Sequence, residues 1–267
     1  LPEAVLTLEE AEVTAERDRR WERRLARFEE EFIGTSERAE QTELLNPEVL
    51  TFSSRWGRFR AEAAPPLRLR NHALGYDITY HLTHFSSTRT RIQYDGDRFF
   101  DPMEPASPEQ EAAWEEARAE AYRGSLRHFL HAAMEDQVEE AGFLVYALPR
   151  VRSLGLRHVS DGAPRFRGRT HRFFQAADDG AHYELDFRGK LEIHYRHAAE
   201  SEAYVDWLRE PRRIPRDFRT AYLSLNERPA VIDRRGDVVV PFSVTRYGYY
   251  AFTRVADSLP KEYRPPD

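Results

Sequence analysis

The stretch Tyr76-Asp77-Ile78-Thr79-Tyr80-His81-Leu82-Thr83-His84-Phe85 is dense in aromatic and β-branched residues. Such residues suit a pleated, half-buried strand face better than a helix. The same composition recurs around Leu50–Ser53, Phe59–Ala63, Leu67–Arg70 and Arg89–Phe100, punctuated by Trp56-Gly57, Pro65-Pro66 and Asp95-Gly96. Read together, Leu50 to Phe100 is an antiparallel meander.

Helical periodicity flanks it. Trp21, Leu25, Phe28 and Phe32 recur at spacings of four, three and four, which aligns them in one apolar stripe over 16–33, ended by Gly34. Residues 1–15 read as an extended junction arm or edge strand. Downstream, Ser107-Pro108-Glu109-Gln110 carries a capping-box helix start. Gly124-Ser125 breaks that helix, and Ser125 caps a second one through Leu126, Phe129, Leu130 and Met134. A buried strand Phe143–Leu148 follows, then a long loop over 149–172. Hairpins are expected for His182–Phe187 with Leu191–Tyr195 and for Ala230–Asp233 with Val238–Val240, with a further strand at Thr220–Leu225. A short helix near Tyr249–Ser258 closes the chain. The expectation is an α+β fold in which a meander and hairpins pack with an N-terminal helix, a central broken helix pair and a short C-terminal helix. Residues 16–267 form one composite domain, with a sub-boundary open in the 149–172 loop.

Composition narrows the function. The chain has 267 residues and a net charge of -6, against the basic balance usual in nucleic-acid modules. All basic residues except Lys190 and Lys261 are arginines. Cysteine is absent, which excludes disulfides, thiolate metal sites and a thiol nucleophile. No apolar run approaches the roughly 20 residues of a membrane helix. The first residue is Leu1 rather than Met, and an N-terminal part is expected to have been removed.

Few motifs carry chemistry. His128-x-x-His131 lies on a helix, where the two rings share a face, but zinc needs a third ligand that no spacing supplies. His81 and His84, and His194 and His197, fall in strands, where residues three apart are expected to point to opposite faces. Ser125 with His128 has neither an oxyanion hole nor an orienting acid placed by sequence. Glycines are dispersed, with no phosphate loop. Arg235-Gly236-Asp237 and Asp95-Gly96-Asp97 read as turns. The strongest remaining signal is Arg150, Arg152, Arg157, Arg165, Arg167, Arg169 and Arg172, seven cations against the single acid Asp161. Such a field suits phosphate groups of lipid, lipopolysaccharide or nucleic acid; the plainer alternatives are a mobile solvated loop or salt bridges to the protein's own acids. Tyr122, Arg127 and His128 form a second candidate group, either lining a pocket or bracing the helix pair on the meander.

Three stretches in order carry a family resemblance. They are Arg27-Phe28-Glu29-Glu30-Glu31-Phe32-Ile33-Gly34-Thr35-Ser36 with Leu45-Asn46-Pro47-Glu48-Val49-Leu50, then Asn71-His72-Ala73-Leu74-Gly75-Tyr76 with Ala121-Tyr122-Arg123-Gly124-Ser125-Leu126-Arg127-His128-Phe129-Leu130, and finally Gly248-Tyr249-Tyr250-Ala251-Phe252-Thr253-Arg254-Val255-Ala256-Asp257-Ser258-Leu259-Pro260. Together they resemble the C-terminal region of Bacteroidetes and Rhodothermota proteins labelled carboxypeptidase-like regulatory domain-containing. The resemblance implies a signal peptide and a small β-sandwich ahead of this region, with Leu8–Ala15 at the junction. It implies export to the periplasm or outer membrane and brings no catalytic residues, because the label describes the sandwich. In relatives an Arg often stands where this chain has His131.

The expectation is therefore a non-catalytic binding or assembly module of the cell envelope, with no cofactor and no metal. Its partner would be an envelope protein or an anionic glycolipid rather than nucleic acid. The alternative is a hydrolase of envelope polymers using His128 with a carboxylate from elsewhere in the fold.

Overall fold

The stripe Trp21, Leu25, Phe28 and Phe32 seats the first element. In the computed structural model, which describes residues 8–148, 166–210 and 213–266, helix α1 (Leu8–Phe32) packs this face on an antiparallel sheet. Phe28 and Phe32 are fully buried and stack at 4.8 Å. Phe28 also meets Phe85 edge-on at 4.8 Å. Trp21 and Leu25 are half-buried, and the Trp21 indole N–H donates to the Leu50 carbonyl at 3.4 Å. The helix has begun by Leu8, so 8–15 is neither arm nor strand. Leu8-Glu9-Glu10-Ala11-Glu12 are good helix formers and outweigh the β-branched Val13 and Thr14. Residues 1–7 lie outside the described residues.

The first sheet holds β1 (Thr42–Leu44), β2 (Leu50–Arg55), β3 (Arg58–Ala63), β4 (Leu67–Asn71), β5 (Tyr76–Ser87) and β6 (Ile92–Pro102). Strand β5 is long enough to pair with β4 and β3 in succession along one edge, while β6 covers the other. The register shifts by a bulge between Leu82 and His84. Asp95-Gly96-Asp97 is therefore strand, not turn. Gly96 lies opposite Leu82, and a Cβ there would stand 2.1 Å from the His81 carbonyl oxygen. The inserted residue also brings His81 and His84 to one face, opposite Asp97 and Asp95, so the expected divergence of that pair fails.

Helices α2 (Pro108–Tyr122) and α3 (Leu126–Met134) start at the predicted caps. Ser107 Oγ accepts from the Gln110 N–H, and Ser125 Oγ accepts from the His128 N–H. The Gln110 side chain takes the Ala106 N–H rather than that of Ser107. The second sheet runs from β7 (Phe143–Leu148) and β8 (Phe166–Arg167) through β11 (Lys190–Tyr195) and β12 (Arg219–Leu225) to β14 (Val244–Gly248). A three-stranded sheet holds β9 (Phe174–Ala176), β10 (His182–Leu185) and β13 (Ala230–Asp233).

Both downstream hairpins are thus rearranged. Strand β11 is buried along almost its whole length and sits between β7 and β12, while β10 pairs with β13. Of the Ala230–Asp233 hairpin only the Ile232–Val238 bridge remains. Turn residues recorded where the chain reverses, not which strand it meets afterwards. Residues 149–165 lie outside the described residues, and the rest of the expected loop contains β8 and a 3₁₀ turn at Thr170–Arg172. Helix α4 (Glu202–Leu208) had no counterpart in the sequence reading. The expected terminal helix divides into α5 (Tyr249–Phe252) and a 3₁₀ turn at Val255–Asp257. The fold is α+β, and among the described residues no helix is long and apolar enough to cross a membrane.

Two apolar cores result. One lies between α1 and the first sheet; the other gathers α3, α4, α5 and the remaining sheets. The C-terminal segment returns to the first core, where Val255 and Ala256 are fully buried. Asn71 ties it down, donating to the Ala256 carbonyl at 2.8 Å while accepting the Leu74 N–H at 2.9 Å.

Phe28→Ala should cost about 3–5 kcal/mol in a denaturant titration, the usual range for emptying a buried aromatic site. Gly96→Ala should lower the melting temperature despite adding only a methyl group. A Gly96→Ala protein that melts with the wild type would show that the β5–β6 bulge relaxes freely.

Candidate functional site: a cleft between two sheet edges

Strands β6 and β14 are the outermost strands of their sheets. Between them, the α2–α3 corner and the segment from Gly236 to Phe242 lies a cleft of about 520 Å³. Buried Tyr80, Tyr122 and Tyr250 line its protein side. His84 and Phe242, at 5.3 Å between rings, bring the sheet and the Gly236–Phe242 segment together.

Register places Arg98 in this cleft. It pairs with Tyr80 across β5–β6, so it shares the face that Ile78 and Phe100 give to the core. Arg246 comes from β14 opposite Leu223, and Arg254 from the turn after α5. The lining holds six cations, Arg91, Arg98, Arg127, Arg246, Arg254 and Lys261, and four carboxylates, Asp95, Asp97, Asp237 and Asp257. Two carboxylates are already engaged. Asp257 accepts from Ser36 Oγ at 3.0 Å, Arg38 at 3.3 Å and the Arg254 N–H at 3.2 Å. Asp237 faces Arg127 at 3.7 Å and Lys261 at 3.8 Å. Asp95 and Asp97 alternate away from Arg98 along β6. The side chains of Arg98, Arg246 and Arg254 make no hydrogen bond or ion pair among the described residues.

The electrostatics follow from this crowding. Arg246 is exposed to solvent at the cleft mouth, although protein atoms crowd the guanidinium. Burial pushes its pKa down, Tyr94 and Asp237 oppose that, and Arg98 and Arg254 add like-charge repulsion. The pKa of Arg127 is lowered by burial first, with Arg98 adding to the fall and Asp237 opposing it. Asp257 is raised by burial, with Arg38 pulling the other way. Cations held together in this way are stabilised by an anion.

The candidate trio divides. Tyr122 and Arg127 line the cleft, while His128 lies behind it. Arg127 donates to the Pro260 carbonyl at 2.6 Å and bridges to Asp237, so it fastens α3 to the C-terminal segment. His128 Nδ1 accepts the Gly124 N–H at 3.0 Å, and its ring meets Phe143 at 4.9 Å and Tyr195 at 5.7 Å. Tyr122 Oη lies 2.7 Å from His131 Nδ1. Both helix histidines thus spend Nδ1 on hydrogen bonds within the fold, and Ser125 spends its hydroxyl on capping. The loop arginines lie elsewhere. Arg167 pairs with Glu139 at 2.6 Å, while Arg169 and Arg172 are exposed and outside the cleft lining. Arg150, Arg152, Arg157 and Arg165 fall outside the described residues. Sequence reasoning missed Arg98, Arg246 and Arg254. The available signal was a charge in step with Ile92, Tyr94 and Phe100 along one strand.

His128 yields a pH prediction. Burial, reinforced by the neighbouring His131, lowers its pKa from 6.5 to about 4. As pH falls below 6.5 the unfolded chain takes up the proton first. Stability should therefore be full above that pH and decline as pH falls toward about 4, with His131 acting in the same direction. Denaturant titrations across this window should show a shallower decline for His128→Gln, which keeps an acceptor but does not titrate. Identical slopes would mean that His128 is not the group responsible. No protein-family model, curated protein or solved structure matches the chain.

Proposed function

We propose that this chain is a non-catalytic binding module of the bacterial cell envelope, and that its cleft takes an anionic group. The observation that carries the reading is the convergence of Arg98, Arg246 and Arg254 on one recess, with no acid or carbonyl partner among the described residues. Unpaired cations on facing sheet edges weaken a fold, and a protein retains such a cost where function uses it. Guanidinium forks suit phosphate or carboxylate oxygens, and the buried tyrosines provide an apolar wall with hydroxyl tips. A phosphorylated or carboxylated glycan, or the headgroup of an anionic glycolipid, has this chemistry. The envelope location follows from the family resemblance. The hydrolase alternative needs His128 to work with a carboxylate at an open surface, and its ring is held behind the cleft among Tyr122, Phe143 and Tyr195.

Arg246→Met separates a binding cleft from a structural one. Calorimetric titration of the wild type with inorganic pyrophosphate, with citrate as the carboxylate probe, should show binding that weakens as salt rises. The variant should bind about tenfold more weakly or worse, since a hydrogen bond to a charged group contributes about 1.5–3 kcal/mol. Its melting temperature should hold or rise, because a repelled charge has gone. Arg169→Met, outside the cleft, should leave affinity unchanged. Failure of both probes to bind the wild type, or an Arg246→Met protein that melts earlier with affinity intact, would sink the proposal.

A further inference from the structure

Away from the cleft lining, β2 turns into β3 through Trp56 and Gly57. Their φ values of 51° and 73° define the two left-handed positions of a type I′ turn. A bulky ring is out of place there; Asn-Gly is the pair that such a turn favours. Yet Trp56 is 93% exposed, and among the described residues its ring meets only the guanidinium of Arg55, at 5.0 Å. The other three tryptophans are buried or half-buried. Neither turn chemistry nor packing therefore explains Trp56.

Charge gives the context. Because Phe59 registers with Ser87 and Arg60 with Ser86, the β2–β3 turn lies at the same end of the sheet as the β5–β6 turn. Residues 53–61 and 86–94 carry Arg55, Arg58, Arg60, Arg89 and Arg91 and no acid, in a chain of net charge -6. All five are exposed and form no ion pair among the described residues. Only Arg91 also borders the cleft.

We infer that this end of the first sheet docks on an anionic phospholipid surface, with the Trp56 ring in the headgroup region and the arginines against lipid phosphates. Indole is amphipathic and partitions to that depth. Each basic residue near an anionic surface contributes about a fivefold gain in binding. A protruding turn lets one ring enter without unfolding any element. Of the residues this docking uses, only Arg91 borders the anion cleft, and the inference does not depend on the reading given there.

Sedimentation with large unilamellar vesicles of phosphatidylcholine, with and without phosphatidylglycerol, tests it. The wild type should sediment only with the anionic vesicles, be released by salt, and show a blue shift of tryptophan emission. Trp56→Asn removes the ring while supplying the residue the turn prefers. It should melt at or above the wild-type temperature, lose the blue shift and bind about tenfold more weakly. Combined Arg55→Glu and Arg58→Glu should reduce binding further. Equal sedimentation with both vesicle types, none with either, or unchanged binding by Trp56→Asn would overturn the inference. So would lost binding accompanied by markedly earlier melting of Trp56→Asn, since the ring would then be structural.

Discussion

The burial of Val255, Ala256 and Leu259 in a core that the chain began some two hundred residues earlier governs the arrangement of both halves. A segment drawn that deep must have its backbone groups satisfied, because an unpaired buried amide or carbonyl costs free energy comparable to a lost hydrogen bond. The Ala256 carbonyl is met by Asn71, the Ala256 N–H by the Ile33 carbonyl, and Asp257 by Ser36 and Arg38. From the other side Arg127 holds the Pro260 carbonyl. One strap thus links the end of α1, the β4–β5 turn and the start of α3. It sets how the edge strands β6 and β14 face each other, and so the shape of the cleft.

Elsewhere in this arginine-rich chain, many guanidiniums have clear partners. Arg213 is held by Glu200 and Glu210, Arg70 by Asp77, and Arg118 by the carbonyls of Leu74 and Gly75. In the cleft, by contrast, Arg98 adds like-charge repulsion to the crowding around Arg246 and Arg127 and lowers the pKa of both. Like charges on facing edges also oppose pairing of the two sheets with each other. A single arrangement therefore leaves the edges apart and the recess attractive to anions.

Two glycines show how closely backbone geometry is tied to the site. Gly96 allows β5 and β6 to approach at the bulge, which sets the register of Arg98 with Tyr80. Gly236 lies against Arg127 and His131, where a Cβ would come within 3.0 Å of Arg127 Cγ. The Arg235-Gly236-Asp237 tripeptide is turn chemistry, as its residue types suggest, and the same turn delivers Asp237 to Arg127.

Local signals were enough for the α1 stripe, the Ser107 and Ser125 caps, the meander and the α+β class, because each rests on periodicity or capping within a few residues. Of the trio Tyr122, Arg127 and His128 beside the helix break, Tyr122 and Arg127 border the cleft, and Arg127 also fastens α3 to the C-terminal segment. Strand partners downstream of Phe143 were not legible, since a turn records where the chain reverses but not which edge it then joins. Nor was the cleft. Arg98, Arg246 and Arg254 lie on separate elements, and nothing in their spacing relates them. Their convergence depends on a one-residue bulge, a sheet order and a returning strap. Residue type and spacing determine local conformation, but only tertiary packing decides which charges meet and whether an acid meets them too.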